Sequence, residues 1–226
     1  MTDWIFDHTL ELLLTVSTAF SFLWLLRCKT RLPLRWYSAL ALTVIHTVTG
    51  VAAVSLFAII EGLGGQGSAG KMSLFGAVFF MPLFYWVVAR LTKRSMADVF
   101  DVFTVCLVFT LMCARINCLL TGCCRGAHIP IPELEHLRWP TRELEIVFYL
   151  VLLVLLCRKA RSEKNRGQIY PIYMMSYGVF RLITETFRAS ESPTLFHIAH
   201  LWAMTALCIG ASVYSETRKT KRKARR

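Results

Sequence analysis

Residues 99–120 read VFDVFTVCLVFTLMCARINCLL, with charge only at Asp101 and Arg115. A helix of that length rises about 33 Å, enough to cross the hydrocarbon core of a bilayer. Outward from it, six more apolar stretches follow the same plan: Leu10–Leu26, Ser38–Ile60, Met72–Ala89, Leu144–Cys157, Ile169–Glu185 and Leu195–Tyr214. The sequence therefore predicts an all-α polytopic membrane protein of about seven transmembrane helices, in a single membrane domain over 1–226 that ends in a basic tail at 215–226. Composition agrees, with 55% hydrophobic residues and a mean hydropathy of +0.51 over 226 residues.

Charge sets the orientation. Arg27, Lys29, Arg31 and Arg35, then Arg90, Lys93 and Arg94, then Arg158 to Arg166, and last Arg218 to Arg226 all fall on one side of a seven-span chain. By the positive-inside rule that side is the cytoplasm, which leaves the N-terminus outside and the C-terminus inside the cell membrane. Asp3, Asp7, Glu61, Glu133 and Glu135 lie on the other side. No basic residue precedes the first apolar stretch and no small-residue cleavage site closes it, so it reads as a retained span. The net charge of +12 raises the question of nucleic acid, but a basic run just cytoplasmic of a last span reads as a topology determinant that touches anionic lipid. No nucleic-acid partner is expected.

Ionisable groups inside spans are costly and tend to face the bundle interior. Arg115 stands about 14 residues above Asp101 and Arg181 about 12 above Ile169, which places them roughly 21 and 18 Å from the cytoplasmic edge. Tyr177, Arg181, Glu185 and Arg188 fall on one helix face at i, i+4, i+8 and i+11. An Arg181–Glu185 pair would neutralise itself but would leave Arg115 without a protein partner, so an anion is expected between the two arginines. Guanidinium forks suit phosphate oxygens, and the outer leaflet supplies phospholipid headgroups.

These residues also carry a family resemblance. ARINCLLTGCCRG at 114–126 resembles the signature G-R-I-G-N-F-x-N-G-E-x-x-G of prolipoprotein diacylglyceryl transferases. WPTRELE at 139–145 resembles the family's H-P-T-Q-L-Y-E, and YGVFRLITETFR at 177–188 resembles its Y-G-x-x-R-F-x-x-E-x-F-R. The span from Asp98 to Arg115 resembles the family's D-x-x-D helix. Four ordered matches are more specific than any one motif. The resemblance implies a seven-span enzyme that moves diacylglyceryl from phosphatidylglycerol to the lipobox cysteine of a secreted lipoprotein precursor, or to another acceptor. Arg115, Arg181 and Glu185 then become catalytic candidates. Tyr177, Gly122, Gly126, Arg188 and Glu145 become substrate-binding candidates, with no metal and no cofactor.

The sequence departs from the pattern in two places. Cys118-Leu119-Leu120-Thr121-Gly122-Cys123 replaces N-F-x-N-G-E, and Met72-Ser73-Leu74-Phe75-Gly76-Ala77 replaces M-S-F-H-G-G, so the histidine proposed as the family's base is missing. His128, His136, His197 and His200 are substitutes on the outer side, none singled out by the sequence. Two other classes remain open: a non-catalytic protein that binds anionic phospholipid, and a membrane thiol enzyme using Cys118, Cys123 and Cys124. Against the latter, no C-x-x-C motif is present and Cys123, Cys124 and His128 lack usual zinc-ligand spacing, although a disulfide from Cys118 to Cys123 or Cys124 would brace the loop. The glycine-rich run 62–70 reads as a flexible connection or a lid.

Overall fold

The computed structural model describes residues 8–63, 73–129, 137–188 and 198–223. Seven long helices make up the described chain: α1 Thr9–Arg27, α2 Trp36–Leu63, α3 Leu74–Thr92, α4 Met96–Leu120, α5 Thr141–Ala160, α6 Ile169–Glu185 and α7 Ile198–Lys223. A 3-10 turn, Glu163–Asn165, joins α5 to α6. Among the described residues there is no strand, only two isolated antiparallel bridges, Gly126 with Arg188 and His128 with Arg138.

Five helices, α1, α2, α3, α4 and α7, are long and apolar enough to cross a membrane. The other two differ for visible reasons. α5 carries Arg142, Glu143 and Glu145 at its start and Arg158 and Lys159 at its end, while α6 is 17 residues long. Both still expose aliphatic side chains, among them Val147, Leu150, Val151 and Leu155 on α5 and Val179 and Ile183 on α6. The last helix runs past the expected end at Tyr214 to Lys223, so most of the basic tail continues the same helix. The segments 64–72, 130–136 and 189–197 lie outside the described residues, and with them most of the glycine-rich run, Glu133, Glu135, His136 and His197.

The middle helix of the sequence is also the middle of the bundle. α4 packs against α1, α3, α5 and α6, and Val99, Val102, Phe103, Val105, Cys106, Val108 and Leu111 are buried on more than one side of it. A helix apolar all round belongs in such a place. α6 and α7 approach closely because Gly178 has no side chain: a Cβ there would lie 2.7 Å from the Ala203 carbonyl oxygen and 2.8 Å from the Leu207 Cβ. Small residues at a crossing let membrane helices make van der Waals contact along their backbones.

Two acids pin the end of the bundle where α4 and α6 begin. The buried Asp101 carboxylate accepts hydrogen bonds from the backbone N–H groups of Gly167, at 2.6 Å, and Ile169, at 3.0 Å, and from Arg31 Nη1 at 3.3 Å. Ile169 N–H is an orphan donor of the first turn of α6 and Gly167 lies just ahead of it, a place where a carboxylate is favoured by both hydrogen bonding and the helix dipole. Arg166 pairs with Asp98 one turn below, and Arg31 also reaches the Ser162 carbonyl at 2.5 Å. The α4 start, the α1 exit and the α5–α6 turn are thereby tied together.

Candidate active site

At the opposite end, α4, α5, α6 and the residues just after α6 bring five charged side chains together. Arg115 comes from α4, Glu145 from the first turns of α5, and Arg181 and Glu185 from the end of α6. Glu145 is the hub. One of its carboxylate oxygens pairs with Arg115 Nε; the other lies 3.0 Å from Arg181 Nη1 and 3.8 Å from Arg188 Nη2. Arg181 Nη2 lies 2.9 Å from Glu185 Oε2, and Arg188 Nη1 lies 3.6 Å from the same oxygen. Arg115, Glu145 and Arg181 are 4%, 2% and 4% exposed, so this network is inside the bundle.

Arg115 therefore has a protein partner, contrary to the expectation drawn from helix depth alone. The anion between Arg115 and Arg181 is the Glu145 carboxylate, placed there because the chain re-enters at Trp139–Thr141 beside the end of α4, where Arg142 reaches the Cys118 carbonyl. Arg188 also differs from the expected stripe. α6 ends at Glu185, and Arg188 lies beyond it in a bridge with Gly126, where Ala127 N–H donates to the Phe187 carbonyl at 2.9 Å. Its guanidinium still turns back to Glu145 and Glu185. Three arginines against two glutamates leave the network one net positive charge, and Arg188, with a side chain 20% exposed, is its most open member.

The walls of the site come from residues around it. Phe75 places its ring under Arg181, with the guanidinium carbon 5.0 Å from the ring centroid, and meets Tyr177 edge-on at 5.9 Å. Tyr177 is fully buried and its hydroxyl has no hydrogen-bond partner among the described residues. Gly126 packs against the Trp139 backbone so tightly that a Cβ would collide with its carbonyl. Gly122 has φ +71°, a left-handed turn that glycine adopts without steric cost, and it carries the chain off the end of α4. All eight sequence candidates thus lie in or beside one constellation.

Sequence reasoning missed Phe75 and Arg142. Phe75 stands where the M-S-F-H-G-G pattern has its histidine, which is the signal that would have found it. Arg142 Nη1 donates to the carbonyls of Cys118 and Cys123, both at 3.4 Å, and so fixes the turn after α4 to the start of α5. Its position inside WPTRELE was visible, but its partners are set only by folding. Of the substitute bases, His200 is buried on α7 and His128 sits in the bridge with Arg138.

An apolar cleft opens beside the site, between α1, α2, α3 and α4, lined by Leu14, Val54, Leu74, Met81, Leu107 and Ala114 among others. Ala114, at one end of that lining, precedes Arg115 in the chain.

The family model for prolipoprotein diacylglyceryl transferase matches residues 50–215. A phosphatidylglycerol–prolipoprotein diacylglyceryl transferase of Dehalococcoides mccartyi is 22% identical over 185 residues, covering 73% of this chain and 71% of that protein. The protein of the same name from Clostridium tetani is 27% identical over 121 residues, or 47% of this chain and 48% of the relative. That from Polaromonas naphthalenivorans is 29% identical over 134 residues, or 54% and 49%. The matched region takes in every residue of the charged network, and the chain belongs to the prolipoprotein diacylglyceryl transferase family.

Proposed function

We propose that this protein transfers the diacylglyceryl group of phosphatidylglycerol to the thiol of a secreted lipoprotein precursor at the Arg115–Glu145–Arg181–Arg188 network. The observation that carries the reading is the net positive, water-poor cluster of three arginines and two glutamates inside the bundle. A phosphate suits the cluster. In the reaction the acceptor sulfur attacks the glycerol carbon, a sulfur–carbon bond forms, the carbon–oxygen bond to phosphate breaks, and glycerol phosphate departs with the electron pair.

The arginines act on that departing charge. Arg115 and Arg181 are already oriented by Glu145, so their remaining N–H groups need no reorganisation when negative charge grows on the phosphate. Arg188, the most exposed of the three, receives the headgroup first. Glu145 and Glu185 are positioning residues on this reading, and the Tyr177 hydroxyl, unpartnered among the described residues, offers one more donor to the ester oxygens. Gly122 and Gly126 shape the turn over the headgroup.

The proposal extends to topology. All seven helices span, with the site in the outer half of the cell membrane, the N-terminus outside, and the basic end of α7 lying against anionic lipid on the cytoplasmic side. A reporter active only in the cytoplasm should work when fused after Arg226 and fail when inserted at Ser68. The decisive experiment incubates purified protein with headgroup-labelled phosphatidylglycerol and a lipobox peptide. Release of glycerol phosphate that depends on the peptide cysteine supports the proposal, and no release from a folded protein overturns it.

A further inference from the structure

One cluster remains unused. The Sγ atoms of Cys118, Cys123 and Cys124 lie within 4.8 Å of one another, and all three thiols are free. The spacing C-x4-C-C looks unlike a metal motif, but the fold corrects it. α4 ends two residues beyond Cys118, Gly122 reverses the chain at φ +71°, and Cys124 itself adopts φ +57°. A non-glycine residue rarely takes that conformation, and here it turns the Cys124 side chain back over the helix end. Arg142 holds the Cys118 and Cys123 carbonyls, and Arg125 Nε holds the Gly122 carbonyl at 3.1 Å. The turn is built rather than slack.

A cationic group stands beside the sulfurs. Arg115 Nη1 donates to Cys118 Sγ at 3.9 Å. Three thiolates without a carboxylate are a soft donor set, which selects zinc or copper(I) over magnesium or calcium. Tetrahedral zinc holds its sulfurs at about 2.3 Å and hence about 3.8 Å from one another, so these three need to close by about 1 Å at most. Cys123 and Cys124 are exposed, which gives an ion a way in.

We propose that Cys118, Cys123 and Cys124 bind one zinc ion through three thiolates, leaving its fourth position open to the thiol of an acceptor. The second half rests on the transferase reading above and supplies what that reading lacks. A free thiol near about 8.5 is mostly protonated at neutral pH, and the family's histidine is replaced by Phe75. On coordination the acceptor thiol loses its proton to water and becomes a zinc-bound thiolate beside Arg115, ready to form the bond to the glycerol carbon. Zinc with four thiolates carries two net negative charges, which keeps the bound sulfur nucleophilic, and the neighbouring arginines offset that charge.

The test uses the full chain in detergent, reduced and stripped of metal. One equivalent of zinc should protect Cys118, Cys123 and Cys124 from iodoacetamide, read by peptide mass spectrometry, while exposed Cys208 alkylates as before. Cobalt in place of zinc should give a thiolate charge-transfer band that shifts when a lipobox peptide is added and does not shift with its Cys→Ser analogue. Cys118→Ser, Cys123→Ser and Cys124→Ser should each weaken zinc binding by about a hundredfold, with Cys208→Ser unchanged. Absence of protection in reduced wild-type protein overturns the site, as does zinc binding that survives all three substitutions together. Protection with no response to the peptide overturns the open position alone. Lipid transfer is measured separately, so a failed transfer assay leaves the zinc result standing.

Discussion

Glu145→Gln keeps the shape of the hub and removes its charge. In the native network three guanidiniums face two carboxylates, and the substitution leaves three facing one, with Arg115 losing the carboxylate it touches. Both Arg115 and Glu145 are nearly inaccessible to water, so solvent does little to screen the loss. Removing one partner of such a pair costs about 3–5 kcal/mol, which corresponds to roughly a hundred- to several-thousand-fold if it is expressed in transition-state stabilisation. The introduced glutamine can still accept one hydrogen bond from Arg181 through its amide oxygen, so the lower part of that range is expected, with Glu145→Ala at the upper part. Transfer of labelled diacylglyceryl in detergent, together with thermal unfolding, measures both consequences. The expected result is a fall in kcat of at least about a hundredfold at near-normal melting temperature for Gln, and a clear loss of melting temperature for Ala. Wild-type rate and stability in Glu145→Gln would refute the claim that this carboxylate orders the arginines.

Arg181→Lys should cost nearly as much activity as Arg181→Ala, because an ammonium cannot bridge Glu145 and Glu185 while stacking on Phe75; Arg35→Lys, exposed at the other end, should be neutral in the same transfer assay. Gly178→Val should lower the melting temperature, at a cost of about 1–3 kcal/mol for overpacking the α6–α7 crossing, whereas Ala199→Gly on α7 should change it far less. Asp101→Asn retains size but leaves Arg31 facing a neutral group and forces an amide N–H toward at least one backbone donor. It should destabilise the protein by about 3–5 kcal/mol in denaturant unfolding while sparing the Glu145 network at the other end.

The helices were legible because seven apolar runs, cut by basic clusters, leave few alternatives, and boundaries moved by only a few residues except at α7, where a charged sequence of good helix formers extends the element to Lys223. The candidate residues were legible because buried charge is expensive and therefore rare. Partnership was not. Depth along α4 and α6 put Arg115 and Arg181 at similar heights, but nothing in that arithmetic shows that Glu145, on a third helix, reaches both. The same limit applied to Arg188, whose helical spacing was real in sequence although the helix itself stops at Glu185. Spacing along one chain also hid the three sulfurs, because left-handed residues at Gly122 and Cys124 break the linear relation between sequence separation and distance.

The central place of Glu145 has a consequence for biosynthesis. The ribosome delivers Arg115 first, Glu145 30 positions later and Arg181 another 36 positions after that. An arginine entering the bilayer alone is a costly intermediate, and here it waits only for the hairpin of α4 and α5 to close before it meets a carboxylate. That first pair is neutral. Arrival of α6 then adds Arg181 together with its own counter-charge, Glu185, so neither addition carries more than one unpaired charge into lipid. The surplus positive charge is completed only with Arg188, the last of the five to emerge, so the network acquires its net charge only after the three helices that enclose it have been made.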